Sequence, residues 1–267
     1  MMNRVEKKFR ELKKLGKKAF IAYITAGDPG INMTKKIVLA LEGSGADVIE
    51  LGIPFSDPLA DGPTIQAASH RALLKGANLK KIFALVADLR KVTEIPLVFM
   101  TYYNPVLRYG IDDFIMDCRK SGVDGVIVPD LPFEEAGDLI KLSKEHGIAT
   151  IFLVAPTSTK DRMANIVKRS SGFIYYVSLT GVTGARVKLP PEVMSNIRVI
   201  KSVTDKPVAV GFGISTPAQA RKVSTVADGV IVGSAIVKII ADNQNNHNAL
   251  ISKVSSFSKK LSKAIHS

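Results

Sequence analysis

Short apolar segments recur along the chain, and most are continuous runs rather than alternations of apolar and polar residues. Continuous runs are typical of strands buried on both faces, as in a parallel sheet covered by helices. We therefore predict eight buried strands, at Phe20–Thr25, around Glu50, and at Pro96–Thr101, Gly125–Val128, Ala149–Val154, Phe173–Val177, Pro207–Val210 and Gly229–Val232.

Helical spacing of apolar residues fills most of the intervals between these strands. Beyond the first crossover, around Ile37 to Leu41, such patterns occupy residues 64–75, 79–92, 111–121, 134–146, 161–170, 191–203 and 217–226. Eight strand and helix units in a chain of 267 residues predict an α/β fold, a (β/α)₈ barrel of the TIM type. No linker or low-complexity tract divides the chain, so residues 1–267 are expected to form a single domain.

An extra helix is predicted before the first strand. Val5, Phe9, Leu12 and Leu15 form one apolar stripe at helical spacing within residues 3–18, which are otherwise rich in charge. We expect this helix to cover one end of the fold.

Composition restricts the class of protein. Hydrophobic residues make up 46% of the chain, yet no apolar run approaches the roughly 20 residues that a membrane span needs. The N-terminal segment lacks the apolar core of a signal peptide, and the lone Cys118 is not a disulfide framework. We expect a cytoplasmic protein with no membrane association.

The net charge of +13 raises the possibility of nucleic-acid binding. The lysines concentrate at residues 7–18 and 253–263, however, without the aromatic residues on which bases stack. Solvated basic faces are the favoured interpretation, and no nucleic-acid partner is predicted. The excess charge would also attract an anionic substrate.

Two carboxylates stand in unlike surroundings. Glu50 lies within an apolar strand, and Asp61 follows a proline-rich loop that can bring it back toward Glu50. Carboxyl groups in different surroundings commonly divide acid and base roles. The alternative is structural: Glu50 could be a buried ion-pair partner, and Asp61 could cap the next helix.

Glycine-rich loops follow the last three strands, at Gly181–Gly184, Gly211–Ser215 and Gly233–Ala235. The loops after strands 7 and 8 of such barrels often bind phosphate through backbone N–H groups. Polar side chains near the strand ends, of which Tyr102, Asp130 and Tyr175 are favoured, are candidates for an aromatic substrate's pocket.

Other reaction types lack the residues they need. The four histidines form no ligand cluster, so no metal site is predicted. No lysine stands within an apolar strand, which leaves a Schiff-base aldolase without an obvious nucleophile.

Several of these motifs resemble one family. Residues 20–29 and 50–63 are closely similar to the tryptophan synthase alpha subunits, and further matches occur at Pro129–Pro132, Gly181–Gly184, Gly211–Ile214 and Val232–Ala235. The carboxylate motif is long and specific, whereas the glycine motifs fit many phosphate-binding barrels.

The resemblance implies a lyase of tryptophan biosynthesis that cleaves indole-3-glycerol phosphate to indole and glyceraldehyde 3-phosphate without a cofactor. Glu50 would be the general acid and base, which protonates indole C3 and helps remove the glycerol hydroxyl proton. Asp61 would accept or balance the indole N–H proton. The family's substrate contacts correspond to Tyr23, Met100, Tyr102, Asp130, Leu153, Tyr175, Thr183, Gly184, Gly213, Gly233 and Ser234.

A partner is implied as well. Members of the family dock on a beta subunit that carries pyridoxal phosphate, form an α₂β₂ tetramer and pass indole to it for condensation with L-serine. The partner-facing positions correspond to Pro54, Phe55, Ser56, Asp57, Pro58 and Asn104. The chain departs from well-known members at Tyr23, Phe173 and Leu179. A free-standing lyase without a beta partner and a basic, non-catalytic binding barrel remain open as alternatives.

Overall fold

The computed structural model describes residues 2–177, 191–211 and 213–267. Parallel strands form one sheet whose order is β5-β4-β3-β2-β1-β9-β8-β7-β6. The strands are β1 (Ala19–Thr25), β2 (Val48–Gly52), β3 (Leu97–Met100), β4 (Gly125–Ile127), β5 (Ala149–Ile151), β6 (Leu153–Val154), β7 (Ile174–Val177), β8 (Val208–Gly211) and β9 (Gly229–Val232).

The two edges of this sheet are consecutive in the chain. Only Phe152 separates β5, which pairs with β4, from β6, which pairs with β7. Across the interruption, Tyr175 N donates to Phe152 O at 3.2 Å. The single strand predicted at Ala149–Val154 is therefore two segments, which together close the sheet into a TIM barrel. The predicted fold class is confirmed.

Helices surround the barrel. They are α1 (Arg4–Lys14), α2 (Ile31–Glu42), α3 (Pro63–Leu74), α4 (Leu79–Leu89), α5 (Tyr103–Tyr109), α6 (Ile111–Ser121), α7 (Gly137–His146), α8 (Lys160–Arg169), α9 (Pro191–Ser202), α10 (Pro217–Ser224), α11 (Ser234–Asp242) and α12 (His247–Ile265). None of the helices in the described part of the chain is long and apolar enough to cross a bilayer.

Helix α1 packs against the interior side chains of the barrel, as the N-terminal pattern predicts. Val5, Phe9 and Leu12 are buried there, and the Phe9 ring lies 5.5 Å from that of Phe173. Phe173 therefore belongs to the packing around α1. Leu15, predicted on the same stripe, lies beyond the end of the helix and is 68% exposed.

Helix α5 is absent from the pattern-based prediction, which places a turn at Tyr103–Pro105. Proline is tolerated in the first turn of a helix because the N–H it lacks would have no partner within the helix. The Asp130 carboxylate accepts from Tyr103 N at 2.9 and 3.1 Å, and so supplies a cap from outside the helix. Helix α7 also begins at Gly137 rather than at Glu134.

Candidate active site

A cavity opens at the carboxyl ends of the barrel strands. It brings together seven of the predicted site residues: Tyr23, Asp61, Met100, Tyr175, Gly213, Gly233 and Ser234. Its remaining lining residues are Gly62, Ile65, Ile214, Ser215, Ile231 and Ala235.

Glu50 lies in the middle of β2 and is fully buried. Neither carboxyl oxygen has a hydrogen-bond partner among the described residues. Burial disfavours the charged form and raises the pKa of Glu50 to about 8. The carboxyl group is therefore mostly protonated at neutral pH and can donate a proton. The buried ion pair of the structural alternative is not formed within the described chain.

Asp61 is half-buried in the loop between β2 and α3. Burial raises its pKa to about 6, and the neighbouring Tyr102 hydroxyl partly offsets that increase. Asp61 is thus mostly ionised at neutral pH, unlike Glu50. Helix α3 has Gly62 as its N-cap and no side-chain cap, so Asp61 does not cap it.

Two tyrosines lie near both carboxyl groups. Burial is the main cause that raises the pKa of Tyr23 and of Tyr175, and the charges of Glu50 and Asp61 add to it in both cases. Both phenols therefore remain protonated at neutral pH. Together they form part of the cavity wall close to the buried Glu50 and the half-buried Asp61.

Glycines at strand ends make room for these rings. A Cβ atom on Gly52 would lie 2.1 Å from the Tyr23 hydroxyl oxygen, and one on Gly211 would lie 2.5 Å from that of Tyr175. Both distances are shorter than any real contact of a Cβ atom. Gly52 and Gly211 thus determine where the two phenols lie, although neither residue is among the predicted site residues.

Tyr102 connects the loop after β2 to helix α5. Its hydroxyl accepts from Ala60 N at 2.9 Å, next to Asp61, and its ring lies 5.4 Å from that of Phe55. Tyr102 is buried and does not line the cavity itself. Its contacts hold the loop that carries Asp61.

The opposite side of the cavity has the features of an anion site. Helix α11 begins there at Ser234, and Ile236 N and Val237 N both donate to Gly233 O. The N–H groups of Ser234 and Ala235, in the first turn, have no acceptor within the helix. The start of a helix favours anions through such N–H groups and through its dipole.

The loop after β8 also reaches this side of the cavity. Gly213 has φ of 73°, a left-handed conformation that glycine adopts without strain. Just beyond it, Gln219 Oε1 accepts from Ser215 N at 2.9 Å and from Thr216 N at 3.1 Å, within the capping box of α10. This arrangement fixes the course of the loop.

Two further predicted pocket residues do not line this cavity. Asp130 follows β4, is exposed and caps the first turn of α5. Both it and Leu153 line a neighbouring cavity between β4 and β7. Thr183 and Gly184, together with Leu179 and Phe212, lie outside the described residues.

The predicted partner-facing loop runs along the surface beside the cavity. Pro54 is buried and Phe55 and Pro58 are half-buried, whereas Ser56 and Asp57 are exposed and linked by a hydrogen bond of 2.5 Å between their side chains.

Asn104 is exposed on the adjacent α5. The same two segments expose large apolar side chains, because Leu59 is 92% and Leu107 57% exposed. Patches of exposed apolar side chains often mark a surface that binds another protein.

Among the residues that the structure describes, no three His, Cys, Asp or Glu side chains are grouped so that they could hold a metal ion. Six residues that line the cavity are absent from the predicted site: Gly62, Ile65, Ile214, Ser215, Ile231 and Ala235. Ser215 and Ala235 stand within the quoted glycine motifs, whereas Ile65 carries no signal beyond the apolar pattern of α3.

Comparison with known proteins gives one result throughout. A family model described as "Tryptophan synthase alpha chain" matches residues 9–266. The tryptophan synthase alpha chain of Caldanaerobacter subterraneus subsp. tengcongensis is 53% identical over 244 residues, which are 91% of this chain and 93% of the relative. That of Thermoanaerobacter sp. strain X514 is 48% identical over 264 residues, covering 99% and 100% respectively.

Solved structures agree with the sequence relatives. Tryptophan synthase subunit alpha from Legionella pneumophila str. Paris has a TM-score of 0.92 at 38% identity, covering 99% of both chains. A structure of Mycobacterium tuberculosis tryptophan synthase has a TM-score of 0.91 at 37% identity, covering 100% of both. The chain therefore belongs to the tryptophan synthase alpha chain family, and it is a lyase of tryptophan biosynthesis.

Proposed function

We propose that Glu50 and Asp61 carry out the retro-aldol cleavage of indole-3-glycerol phosphate to indole and glyceraldehyde 3-phosphate in this chain, within a single domain that spans residues 1–267. The observation that supports this assignment most strongly is the difference in ionisation between the two carboxyl groups. Their pKa values, about 8 and about 6, leave one carboxyl group as a proton donor and the other as an anion at neutral pH, and both act on the same two tyrosines.

Glu50 acts first as an acid and then as a base. Its proton is transferred to C3 of the indole ring, which leaves a positive charge on the ring system. The C–C bond to the glycerol chain then breaks, and the hydroxyl proton of the carbon that becomes the aldehyde returns to Glu50. Glu50 thus donates one proton and recovers one in each turnover, so no cofactor is required.

Asp61 stabilises the charge that develops on the ring. An ionised carboxylate near the ring nitrogen balances the protonated ring and accepts a hydrogen bond from its N–H group. The phosphate binds at the other side of the cavity, to the backbone N–H groups near Gly213, Gly233 and Ser234. We expect the predicted contact residues Thr183 and Gly184 to bind the phosphate as well, and Met100 contacts the ring together with Tyr175.

The protein works in the cytoplasm with a beta subunit in an α₂β₂ tetramer, and pyridoxal phosphate binds only to that partner. The exposed loop residues Ser56 and Asp57 and the exposed Asn104 face the partner. Leu59 and Leu107 support this surface, because exposed apolar side chains of this size are typical of protein contacts.

The experiment is a cleavage assay of purified protein with indole-3-glycerol phosphate, with and without a tryptophan synthase beta subunit. Cleavage that increases with the beta subunit supports the whole proposal, whereas cleavage unaffected by it indicates a free-standing lyase. Submicromolar binding to oligonucleotides near 150 mM salt, without cleavage, would favour the basic binding barrel instead.

A further inference from the structure

Polar atoms that lack hydrogen-bond partners are grouped inside the barrel, toward the carboxyl ends of β1 and β2. Three of the five buried side-chain oxygens without a hydrogen bond in the described chain are Thr25 Oγ1 and the two oxygens of Glu50. They are adjacent, because Tyr23 pairs with Glu50 and Thr25 with Gly52 in the parallel register. Buried polar groups usually have a partner, so this group indicates a ligand.

The Tyr23 hydroxyl belongs to the same group. Tyr23 and Thr25 project from one face of β1, since side chains two residues apart share a face. Tyr23 is 5% exposed, lines the cavity, and places its hydroxyl against Gly52, where a Cβ atom would lie 2.1 Å away. Burial is the main cause that raises the pKa of Tyr23, and a side-chain hydrogen bond with Thr25 partly offsets it. A phenol oxygen that accepts such a bond can still donate its own proton to a ligand.

Tyr23 spans the distance between the two ends of the proposed substrate site. Its Cβ atom lies 3.3 Å from the position of a Cβ on Gly233, at the start of α11. Burial is the main cause that raises the pKa of Tyr23, and the charge of the Asp61 carboxylate is the next. The hydroxyl end of Tyr23 is therefore close to Asp61. The hydroxyl thus lies between the phosphate end and the end that faces the ring nitrogen.

We infer that Tyr23 and Thr25 form, together with Glu50, a subsite for a hydroxyl group of the substrate's glycerol chain. This inference rests on the proposed function and makes Tyr23 and Thr25 residues that determine specificity. A hydroxyl both donates and accepts, which suits two neutral hydroxyls beside a protonated carboxyl. An ordered water could supply the same chemistry, and the experiment separates the two sources.

The test compares two ligands. Indole-3-glycerol phosphate carries both chain hydroxyls, whereas indole-3-propanol phosphate has the same ring and phosphate and neither hydroxyl. Tyr23→Phe and Thr25→Val each remove one hydroxyl with little change of shape. We expect each variant to raise the KM for indole-3-glycerol phosphate about 3- to 10-fold, the value of one hydrogen bond, and to leave the Kd of the propanol analogue within twofold.

Tyr109→Phe is the matched control, because its hydroxyl donates to Asp117 at 2.6 Å away from the cavity, and it should change neither value. Unchanged KM in both test variants would overturn the subsite. An equal loss of affinity for both ligands would assign the hydroxyls to a bound water and overturn it also. A parent protein that binds both ligands but does not cleave indole-3-glycerol phosphate would contradict the proposed function alone, and the same comparison would then be made on Kd values.

Discussion

Tyr23 and Gly52 can occupy their present positions only because Gly52 has no side chain: a Cβ atom there would lie 2.1 Å from the Tyr23 hydroxyl and 2.7 Å from its ring carbon Cζ. The two residues lie on neighbouring strands of the barrel. Tyr23 on β1 is paired with Glu50 on β2, and Gly52 follows Glu50 by two residues. The position of the phenol beside the carboxyl groups is therefore set by a glycine.

Gly52→Ala should accordingly displace the Tyr23 ring and destabilise the protein by about 1–3 kcal/mol, the usual cost of overpacking. Urea unfolding measures this. Gly137→Ala is the control, since a Cβ atom there meets nothing within 4 Å. In a double-mutant cycle with Tyr23→Ala, the losses of unfolding free energy in the two single variants should sum to more than the loss in the double variant. Additive costs would mean that the ring does not contact position 52.

Burial of Glu50 also predicts how stability changes with pH. Its pKa rises from 4.5 in the unfolded chain to about 8 in the folded one. Between these values the folded protein binds more protons than the unfolded chain, so stability falls as pH rises, by up to about 5 kcal/mol from this group.

Glu50→Gln should remove that decline and unfold at higher urea concentration than the parent at pH 8. The two proteins should be closer in stability below about pH 4, where the carboxyl group is mostly protonated in both states. Parallel stability curves across this range would show that Glu50 is not held in its neutral form.

Catalysis should depend on pH through both carboxyl groups. The proposed mechanism needs a protonated Glu50 and an ionised Asp61, and their pKa values are about 8 and about 6. We expect kcat/KM to rise as Asp61 ionises, to be highest between about pH 6 and 8, and to fall as Glu50 loses its proton. Asp61→Asn should lower the maximum and remove the acidic limb. An unchanged acidic limb in that variant would assign it to another group.

The glycine loops make a separate prediction about phosphate. Gly213→Ala places a side chain where the backbone is proposed to approach the phosphate, and should raise the KM for indole-3-glycerol phosphate at least tenfold. Gly147→Ala is a matched control: its φ of 71° is close to the 73° of Gly213, and a Cβ atom there has open space. Both variants lose some stability. Equal KM values in the two variants would place the phosphate elsewhere.

Much of this fold follows from patterns in the sequence. The continuous apolar runs identify the barrel strands because burial on both faces leaves no polar alternation. Helix α5 was missed because its first turn contains Pro105. Its cap comes from Asp130, 27 residues after the Tyr103 N–H group that it accepts from, and no local rule detects a cap so far along the chain. The interruption at Phe152 arises where the barrel closes. Closure is a property of the whole sheet, so the local sequence does not reveal it.

The candidate site, too, could be predicted from the sequence only in part. An acidic residue within an apolar strand was enough to single out Glu50, since burial of a carboxyl group is costly. The absence of any partner for its oxygens could be established only from the structure. The dependence of Tyr23 on Gly52 is likewise a relation across strands, and a glycine in a strand does not reveal which ring will pack against it.

The most direct test of the mechanism is single-turnover cleavage of indole-3-glycerol phosphate by Glu50→Gln, measured with saturating protein near pH 7. Glutamine preserves the shape of the side chain and cannot donate a carboxyl proton. We expect this variant to fold, to bind indole-3-propanol phosphate like the parent, and to cleave at least about 10²-fold more slowly. A folded variant that cleaves within a few-fold of the parent rate would contradict the assignment of proton transfer to Glu50.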